Sequence, residues 1–306
     1  ADDALTTTLT AVTCPVMVCP SMNTQMFENI RVQRNLDTLE NDGWHILDPD
    51  AGVLAFNPVA AGRLPEPSFI FHPSAAMLTR KDLSGLNFLI SAGPTQEAVD
   101  PVRYISNHSS GKMGFAIAAA AEKRGAGVTL VSGPVSLDTP PGVNRINITS
   151  CDQMAKAMFE QLDSADIIVK VAAVADYRPA DPKPGKIKKT DTDSGLSLDL
   201  VENVDILSQI GRKKRANQLL VGFAAETHDL ERYAQDKMKR KNLDYIVANT
   251  VGGTDTGFGA DTNKVTVFSS KGSKTDIPLK AKTDLAHDLL DIIVDQIRDK
   301  TGRDET

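Results

Sequence analysis

From Leu86 onward, short apolar runs alternate with longer amphipathic segments, and this alternation limits the possible folds more than any other feature of the sequence. The runs are almost continuously apolar, which is typical of strands covered on both faces of a sheet. Alternation of this kind favours a mainly parallel sheet with right-handed crossover helices. The predicted fold class is therefore α/β, with a Rossmann-like sheet and helices on both faces.

The spacing of the apolar residues sets the predicted boundaries. Strands are predicted at 86–91, 127–132, 146–148, 166–171, 219–224, 244–248 and 265–268, and helices at 112–124, 152–163, 205–214, 229–241 and 281–298. In parallel sheets, ligands bind beyond the carboxyl ends of the strands. The loops that follow the strands are therefore the first candidates for a functional site.

Composition divides the chain into a first region at 1–70, a linker at 71–84 and the α/β domain at 85–306. The linker contains Pro73 and a pair of basic residues. The first region has an apolar run at 16–19, a predicted helix at 29–41 ended by Gly43, a short strand at 45–47, and a loop rich in Gly, Ala and Pro up to Pro67. The first residue is not Met and lies within a helical pattern, so we expect a fragment or a processed chain.

Charge and hydropathy exclude several classes of protein. The net charge of -6 argues against general nucleic-acid binding. No run approaches the roughly 18 apolar residues of a membrane span, and the N-terminus lacks the pattern of a signal peptide. The three cysteines cannot all pair and lack metal-ligand spacing. We therefore expect a cytoplasmic protein with reduced thiols and no zinc site.

Two glycine-bearing turns are candidates for binding an anion. Residues 91–95 (SAGPT) follow the first predicted strand, and a glycine there lets backbone approach a ligand closely. Residues 105–114 (ISNHSSGKMG) open an Ala-rich helix, whose N-terminal N–H groups attract anions. The second turn is neither a Walker A loop nor GxGxxG. The alternatives are an ordinary turn and, for the second, a helix cap with close packing at Gly111 and Gly114.

Two further loops follow predicted strands and carry polar groups. Residues 171–179 contain small side chains that leave room for a ring or a ribose, and Asp176 could accept hydrogen bonds there or only cap the loop. Residues 183–189 contain four lysines, which are normally solvated. On a Pro/Gly loop in an acidic protein they become candidates for holding phosphate, although most of them are expected to face solvent.

Residues 223–227 (FAAET) follow another predicted strand, and the next helix carries Lys237 and Lys241. Residues four apart lie on one helix face, so the two lysines could clamp a phosphate. Lysines on helices are more often simply exposed. The histidines are scattered, and the sequence shows no convincing arrangement for nucleophilic catalysis.

Taken together, these segments carry a more specific signal than each one alone. The strings ISAGPTQEAVDPVRYISNHSSGKMGFAIA, VAAVADYRPADPKPGKIKK, GFAAET and KNLDYIVANTVGGTDTGFGADTN resemble the phosphopantothenate–cysteine ligase domain of coenzyme A biosynthesis. The similarity is ordered from about Leu83 to the end. In bacteria, this domain is usually fused behind a flavin-dependent decarboxylase.

Residues 1–67 are similar to the C-terminal part of that decarboxylase, and so to part of a flavodoxin-like domain. PSMNTQMFENIRVQRNLDTLENDGW resembles its flavin- and substrate-contacting stretch, and AGVLAFNPVAAGRLPEP resembles its substrate-covering flap. The family has a catalytic Cys followed by Gly where this chain has Phe56 and Asn57. Phe cannot donate a proton, so we predict that the chain does not decarboxylate, and we regard FMN binding as doubtful.

The resemblance implies a ligation in two steps. The carboxylate of 4'-phosphopantothenate attacks the α-phosphate of CTP and pyrophosphate leaves, with Mg²⁺ balancing the phosphate charge. The amine of L-cysteine then attacks the acyl-cytidylate, and CMP leaves. The resemblance also implies a homodimer formed through the ligase domain. The choice of CTP over ATP follows from the resemblance alone.

The resemblance assigns roles to individual positions. Asn107 would contact the acyl-cytidylate in the second step, and Lys186 would stabilise charge in the first. The other residues would hold the nucleotide: Ala172 and Asp176 would line the cytidine site with Asn203, Val204, Asp205 and Ile206, Phe223 would pack near the nucleotide, and Lys237 and Lys241 would hold its phosphates. Val204 departs from the family, which commonly has Pro there.

Two other classes of function are weighed against this hypothesis. An NAD(P)-dependent oxidoreductase would use the same sheet but needs a glycine fingerprint and an acidic residue after the second strand. After Val131 the chain has Ser-Gly-Pro instead. A non-catalytic regulatory or assembly protein is the second alternative, and it fits residues 1–67 better than the ligase-like part.

Overall fold

The computed structural model describes residues 1–54, 57–188, 195–226, 230–250 and 259–301. The chain divides into two compact units, Ala1–Arg80 and Lys81–Thr306. The boundary between the units lies inside the segment predicted as a linker. Among the described residues, no helix is long and apolar enough to cross a membrane.

The first unit contains four helices and four strands in its described part. In chain order they are α1 (Ala4–Leu9), β1 (Met17–Val18), α2 (Thr24–Phe27), α3 (Ile30–Asn41), β2 (His45–Ile46), β3 (Asp50–Leu54), β4 (Asn57–Arg63) and α4 (Pro67–Leu78). Helix α3 confirms the helix predicted at 29–41. The Asn29 side chain caps its first turn, and Gly43, with φ of +88°, follows its end in the left-handed conformation.

Two predictions for this unit differ from the structure. The segment predicted as a loop up to Pro67 contains the antiparallel pair β3–β4. The two strands form because each satisfies the backbone N–H and C=O groups of the other, and a Gly/Ala-rich sequence gives no side-chain pattern that would indicate such pairing. Helix α4 covers residues 71–78 of the predicted linker. Pro67 lies in the first turn of α4, where no backbone donor is needed, although Pro73 lies inside the helix.

The second unit is built on a sheet of eight strands in the described residues, with two short hairpins outside it. Its strands are β5 (Asn87–Ala92), β6 (Gln96–Ala98), β7 (Tyr104–Ser106), β8 (Gly127–Ser132), β9 (Asn144–Asn147), β10 (Ile167–Lys170), β11 (Tyr177–Pro179), β12 (Leu200–Glu202), β13 (Leu219–Glu226), β14 (Tyr245–Thr250), β15 (Thr262–Ser269) and β16 (Lys274–Ala281). Its helices are α5 (Lys112–Lys123), α6 (Cys151–Gln161, followed by one 3₁₀ turn), α7 (Ile206–Lys213), α8 (Leu230–Arg240) and α9 (Lys282–Thr301).

The order of the strands in the sheet is β16-β15-β14-β13-β10-β5-β8-β9. The six strands from β14 to β9 are parallel, β15 runs antiparallel to β14, and β16 runs antiparallel to β15, so the predicted mainly parallel α/β sheet is confirmed. Strand β16 was not predicted, because only Ile277 is buried in its first six residues and edge strands can remain polar.

The side chains of the parallel strands divide the core into two layers. Phe88, Ile90 and Val169 pack with helices α5 and α9 on one face, whereas Leu89 and Ile168 pack with α6, α7 and α8 on the other. Successive side chains of a strand alternate between faces. Lys170, the last residue of β10, therefore points to the same face as Ile168, towards α6, α7 and α8.

Two hairpins extend beyond the carboxyl ends of the central strands. The pair β6–β7 follows β5, and the pair β11–β12 follows β10. Helix α7 begins directly after β12, with the Asp205 side chain capping Ser208 N. The topology therefore gathers loops from β5, β10 and β13 at one edge of the sheet, where a parallel sheet binds ligands.

Candidate functional site

Two adjoining cavities, of about 420 and 410 Å³, lie at this carboxyl edge of the sheet. The first is lined by residues that include Lys170, Asn203, Val204, Asp205, Ile206 and Lys241, and the second by residues that include Gly93, Asn107, Ser110, Lys112, Asn249 and Lys282. Both are lined by Ala172, Val174, Asp176, Phe223 and Lys237, which we call the common wall. All but one of the residues predicted to form the site line at least one cavity.

The segment Asn203–Ile206 forms one side of the first cavity and is held by backbone and side-chain hydrogen bonds. Asn203 donates from its backbone N to Asp176 O (2.8 Å) and from Nδ2 to Ala175 O (2.8 Å). Arg178 donates to Asn203 Oδ1 at 2.9 Å. These bonds fix the backbone of the segment against the loop that follows β10.

Lys237 in the last turn of helix α8 and Lys241, the first residue after that helix, both line the first cavity. Lys237 Nζ donates to Phe223 O at 3.1 Å, and Lys241 Nζ lies 3.0 Å from Asp205 Oδ2. Burial disfavours the charge of Asp205, but the Ser208 N–H and Lys241 outweigh it and hold the pKa of this carboxyl below its usual value. The two lysines predicted as a phosphate clamp are thus brought together beside a capped helix N-terminus.

Lys170 is a site residue that the sequence analysis missed. It lines the base of the first cavity and is only 6% exposed. Burial, with the nearby charges of Lys237 and Lys241, lowers its pKa from 10.5 to about 7. One feature of the sequence could have indicated it: Lys170 is a charged residue inside a strand that was predicted to be covered on both faces.

The Gly/Ser loop at 105–114 forms the second cavity together with the turn at Gly93. Asn107 Nδ2 donates to Ala173 O at 3.1 Å, which joins the loop to the segment that follows β10, and Ser106 Oγ donates to Thr95 O at 2.7 Å. Gly111 has φ of +78° at the N-terminus of α5, and its cap involves no side chain. The first N–H groups of α5 therefore remain available to an anion.

The same loop also shows the close packing that was its alternative interpretation. A Cβ built on Gly114 would lie 2.6 Å from Ala92 Cβ, so helix α5 approaches strand β5 more closely than a larger residue would allow. Packing and anion binding are thus compatible in this loop. Gly114 allows the close packing, and the backbone N–H groups at the start of α5 can bind the anion.

Two lysines tie the far side of the second cavity to residues 259–261. Lys112 Nζ donates to Asp261 Oδ1 (2.6 Å) and Gly259 O (2.8 Å), and Lys282 Nζ donates to Ala260 O. Both lysines also line the cavity. Their charges face a space that Asn107 and the N-terminus of α5 border on the other side.

The lysine-rich loop is anchored outside both cavities. Lys183 N donates to Val99 O (2.9 Å), and Ile187 N donates to Asp100 Oδ2 (3.1 Å). The pKa of Asp100 lies well below its usual range. The main cause is the hydrogen bond from the Arg103 side chain, and backbone N–H groups add to it, so that together they outweigh the opposite effect of burial. Lys186 is exposed and lines neither cavity, so its predicted role is not tested by the geometry.

Some of the predicted features lie outside the described residues, namely Phe56, Lys189 and Thr227. Within the described residues, no group of three or more His, Cys, Asp and Glu side chains is placed to hold a metal ion. Besides the carboxylates Asp176, Glu202 and Asp205, the cavities are lined by several lysines and amides, and such groups suit an anion.

Comparison with known families gives two matches along the chain. Residues 83–297 match the family described as DNA/pantothenate metabolism flavoprotein C-terminal domain, and residues 1–78 match the family described as Flavoprotein. The C-terminal match covers most of the second unit, and the N-terminal match covers nearly all of the first.

Similar proteins include the coenzyme A biosynthesis bifunctional proteins CoaBC of Bacillus subtilis (strain 168) and Escherichia coli (strain K12). The first is 47% identical, over 95% of this chain and 72% of the relative, and the second is 45% identical, over 99% and 75%. A crystal structure of the C-terminal domain of a CoaBC protein is 40% identical, with a TM-score of 0.62 over 72% of this chain and 99% of that domain.

Proposed function

Because this chain belongs to the DNA/pantothenate metabolism flavoprotein C-terminal domain family and is a phosphopantothenate–cysteine ligase of the CoaBC type, we propose that it uses CTP to join 4'-phosphopantothenate to L-cysteine. The product is 4'-phosphopantothenoylcysteine, and the reaction passes through an acyl-cytidylate. The observation that carries this proposal is the pair of cavities joined by a common wall. A nucleotide in one cavity and an acyl group in the other would meet there.

The first cavity fits the nucleotide. The backbone of Asn203–Ile206 is fixed by hydrogen bonds and presents N–H and C=O groups that can read the edge of a base, so Val204 in place of the family's Pro leaves this function intact. Asp176 and Ala172 line the same cavity and would lie beside the ribose. Lys237 and Lys241 supply the positive charge for the phosphates.

The first chemical step is attack of the pantothenate carboxylate on the α-phosphate of CTP. The P–O bond to pyrophosphate breaks as the new P–O bond forms, and negative charge grows on the departing group. Lys237 and Lys241 are positioned to stabilise that charge, and Lys186 would join them from the lysine-rich loop. A lysine is suited to this role as a compact point charge.

The second step is attack of the cysteine amine on the acyl carbon, with departure of CMP. Asn107 lies at the second cavity and is tied through its amide NH₂ to the segment that follows β10, which supports a role in holding the acyl-cytidylate. An amide is neutral and can donate to a carbonyl oxygen as negative charge develops on it. This position next to the common wall is what the second step requires.

Mg²⁺ would be held mainly by the phosphates of the nucleotide. Such ions commonly bind through substrate phosphates and one or two carboxylates. The described cavities offer Asp176 and Asp205 as carboxylates, and these residues fit that limited role. The ion would supply charge neutralisation to the leaving pyrophosphate.

For the first unit, we propose that the flavoprotein-like residues 1–78 do not decarboxylate. This rests on the sequence, which has Phe56 where the family places a cysteine proton donor. A homodimer through the ligase domain and a cytoplasmic location also stay proposals, the second in keeping with the free thiols of Cys14, Cys19 and Cys151.

The decisive experiment measures pyrophosphate release with 4'-phosphopantothenate and L-cysteine, comparing CTP with ATP. We expect release with CTP, formation of the amide product in equal amount, and at most slow release with ATP. Faster release with ATP would overturn the assignment of CTP. Absence of release with both nucleotides from a folded chain would overturn the ligase function itself.

A further inference from the structure

We propose that Lys170 is a further nucleotide-binding residue, whose amine binds a phosphate oxygen of the triphosphate from the base of the first cavity. This inference rests on the proposed use of CTP and adds a residue to it. Lys170 ends the central strand β10, where it pairs with Ser91 of β5 and Gly222 of β13. Its position is therefore fixed by the sheet on both sides.

The amine of Lys170 is buried but poorly satisfied. Its one hydrogen bond among the described residues is to Ala172 O, at a long 3.5 Å. A buried ammonium normally has partners, because unpaired burial of charge is costly. Lys170 as a residue is only 6% exposed and lines the first cavity, so a ligand in that cavity could supply the partner that its amine lacks.

The neighbours of Lys170 do not neutralise it. Cys151 at the start of α6 is close, but burial raises the pKa of its thiol to about 11, so the thiol is uncharged near neutral pH. Asp205 at the start of α7 is already engaged by Ser208 N and Lys241. Lys237 of helix α8 and Lys241, directly after it, add positive charge near Lys170.

A polyphosphate would reverse this balance. Without an anion, burial and the charges of Lys237 and Lys241 oppose a proton on Lys170. With a triphosphate in the cavity, the dominant nearby charge becomes negative and favours the protonated amine. The lone pair of Nζ then takes one proton from the buffer as the nucleotide binds, and no covalent bond is broken.

A purely structural lysine is the competing explanation. A lysine with only a structural role would extend its amine to solvent or would have a carboxylate partner inside the protein. Lys214 is an example of the second case, because its Nζ lies 2.5 Å from Oδ2 of the buried Asp244. Lys170 differs from Lys214 in having no such carboxylate within ion-pair distance among the described residues. Its place among the cavity-lining residues therefore favours a ligand over an internal partner.

The test is calorimetric titration of the full chain with CTP at about pH 8, in two buffers of different ionisation enthalpy. The wild type is expected to take up close to one proton per CTP bound. At about pH 6 the uptake is expected to vanish, because Lys170 is then already protonated. Binding of CTP without any pH-dependent uptake would overturn the proposal, and this measurement needs no variant.

Lys170→Met is the matching variant, since Met has a similar length and no charge. It is expected to bind CTP about 10- to 100-fold more weakly, the usual effect of losing a hydrogen bond to a charged group. Its proton uptake is expected to disappear. Lys156→Met, on the exposed surface of α6, is the control and is expected to behave as the wild type.

Cytidine, which has no phosphate, separates a phosphate contact from a base contact. Its affinity is expected to be the same in the wild type and in Lys170→Met. Equal weakening of CTP and cytidine, or CTP affinity within about twofold of the wild type, would overturn the proposal. Failure of the wild type to bind CTP at all would instead count against the proposed function. Lys170→Gln, checked by circular dichroism, replaces the Met variant if that variant does not fold.

Discussion

Asn107 shows how a single side chain can join two parts of the site. Its amide donates to the backbone that follows β10, while its own loop opens helix α5. The position is exposed, which is unusual for a residue selected for packing alone and is what a ligand-contacting side chain requires.

We predict that Asn107→Asp slows amide formation more than pyrophosphate release. The substitution keeps the shape of the side chain but replaces a donor with a negative charge beside a phosphate-bearing intermediate. Parallel measurement of pyrophosphate and of the amide product checks this, with Asn144→Asp on the edge strand β9 as the control. An equal loss in both steps would show that Asn107 does not act selectively in the second.

Lys186→Gln is predicted to abolish pyrophosphate release while the fold is retained. The reason is the loss of a positive charge that would face the leaving group in the first step. Lys183→Gln is the control on the same loop, because Lys183 pairs with Asp181. A wild-type rate for Lys186→Gln would remove this residue from the mechanism.

The stability of the unliganded chain is predicted to depend on pH through Lys170. Its pKa is about 7 in the folded chain and close to 10.5 when unfolded, so the unfolded chain binds more protons between these values. The free energy of unfolding that this group contributes therefore falls as the pH is lowered from about 10 to about 7.

Urea denaturation of the wild type and of Lys170→Met across that range measures the effect. The advantage of the Met variant is expected to grow as the pH falls and to level off below about pH 7. A constant difference at every pH would mean that Lys170 titrates normally in the folded chain.

At the scale of elements, the strands and helices of the second unit follow closely from the apolar pattern. Strand β8 lies at the predicted residues, and helix α7 differs by one residue at each end. Strand β16 and the hairpins β6–β7 and β11–β12 were missed, because short or exposed strands depend on pairing partners that are distant in sequence and leave no apolar run.

The residues of the site were predictable where they lie just after a strand or belong to a segment that resembles the ligase family. The neighbouring positions of Lys237 and Lys241 follow from helical spacing, and the structure confirms that they lie together at the first cavity. Lys170 was missed because a lysine in an apolar run gives no indication of what surrounds it. Its environment comes from three helices that the sequence places far apart.

Asp100 links the hairpin β6–β7 to the lysine-rich loop through hydrogen bonds. Asp100 accepts from Val102 N, Arg103 N and Ile187 N, and from the Arg103 side chain. A buried carboxylate with this many donors determines the conformation of both segments, although they are more than eighty residues apart in sequence.

Asp100→Asn is predicted to lower the rate of pyrophosphate release while leaving the affinity for CTP within about twofold. The neutral amide accepts more weakly and leaves the loop that carries Lys186 less well positioned, at a cost of about 1–3 kcal/mol in stability. Steady-state rates and CTP titration measure the two effects. Asp181→Asn is the control, because Asp181 forms an exposed ion pair with Lys183. An unchanged rate for Asp100→Asn would show that Asp100 does not position the loop that carries Lys186.

At the scale of the whole molecule, the two compact units differ in what they can support. The second unit contains both layers of the buried core and both cavities, whereas none of the described helices of the first unit except α2 has a buried residue. The proposed chemistry is therefore contained in one unit.

A fragment of residues 81–306 is accordingly predicted to fold alone and to release pyrophosphate from CTP within about twofold of the full chain. Circular dichroism and the coupled pyrophosphate assay check the two parts of this prediction. A folded fragment without activity would show that the first unit contributes to catalysis.

The segment Asn203–Ile206 lines the first cavity and is absent from the lining of the second. The parts that would recognise the base are therefore physically separate from those that would recognise the acyl chain. The hydrogen bonds of Asn203 mark it as the residue to leave unchanged. For enzyme engineering, a combinatorial library limited to the other three codons of the segment would explore nucleotide preference without altering the acyl pocket.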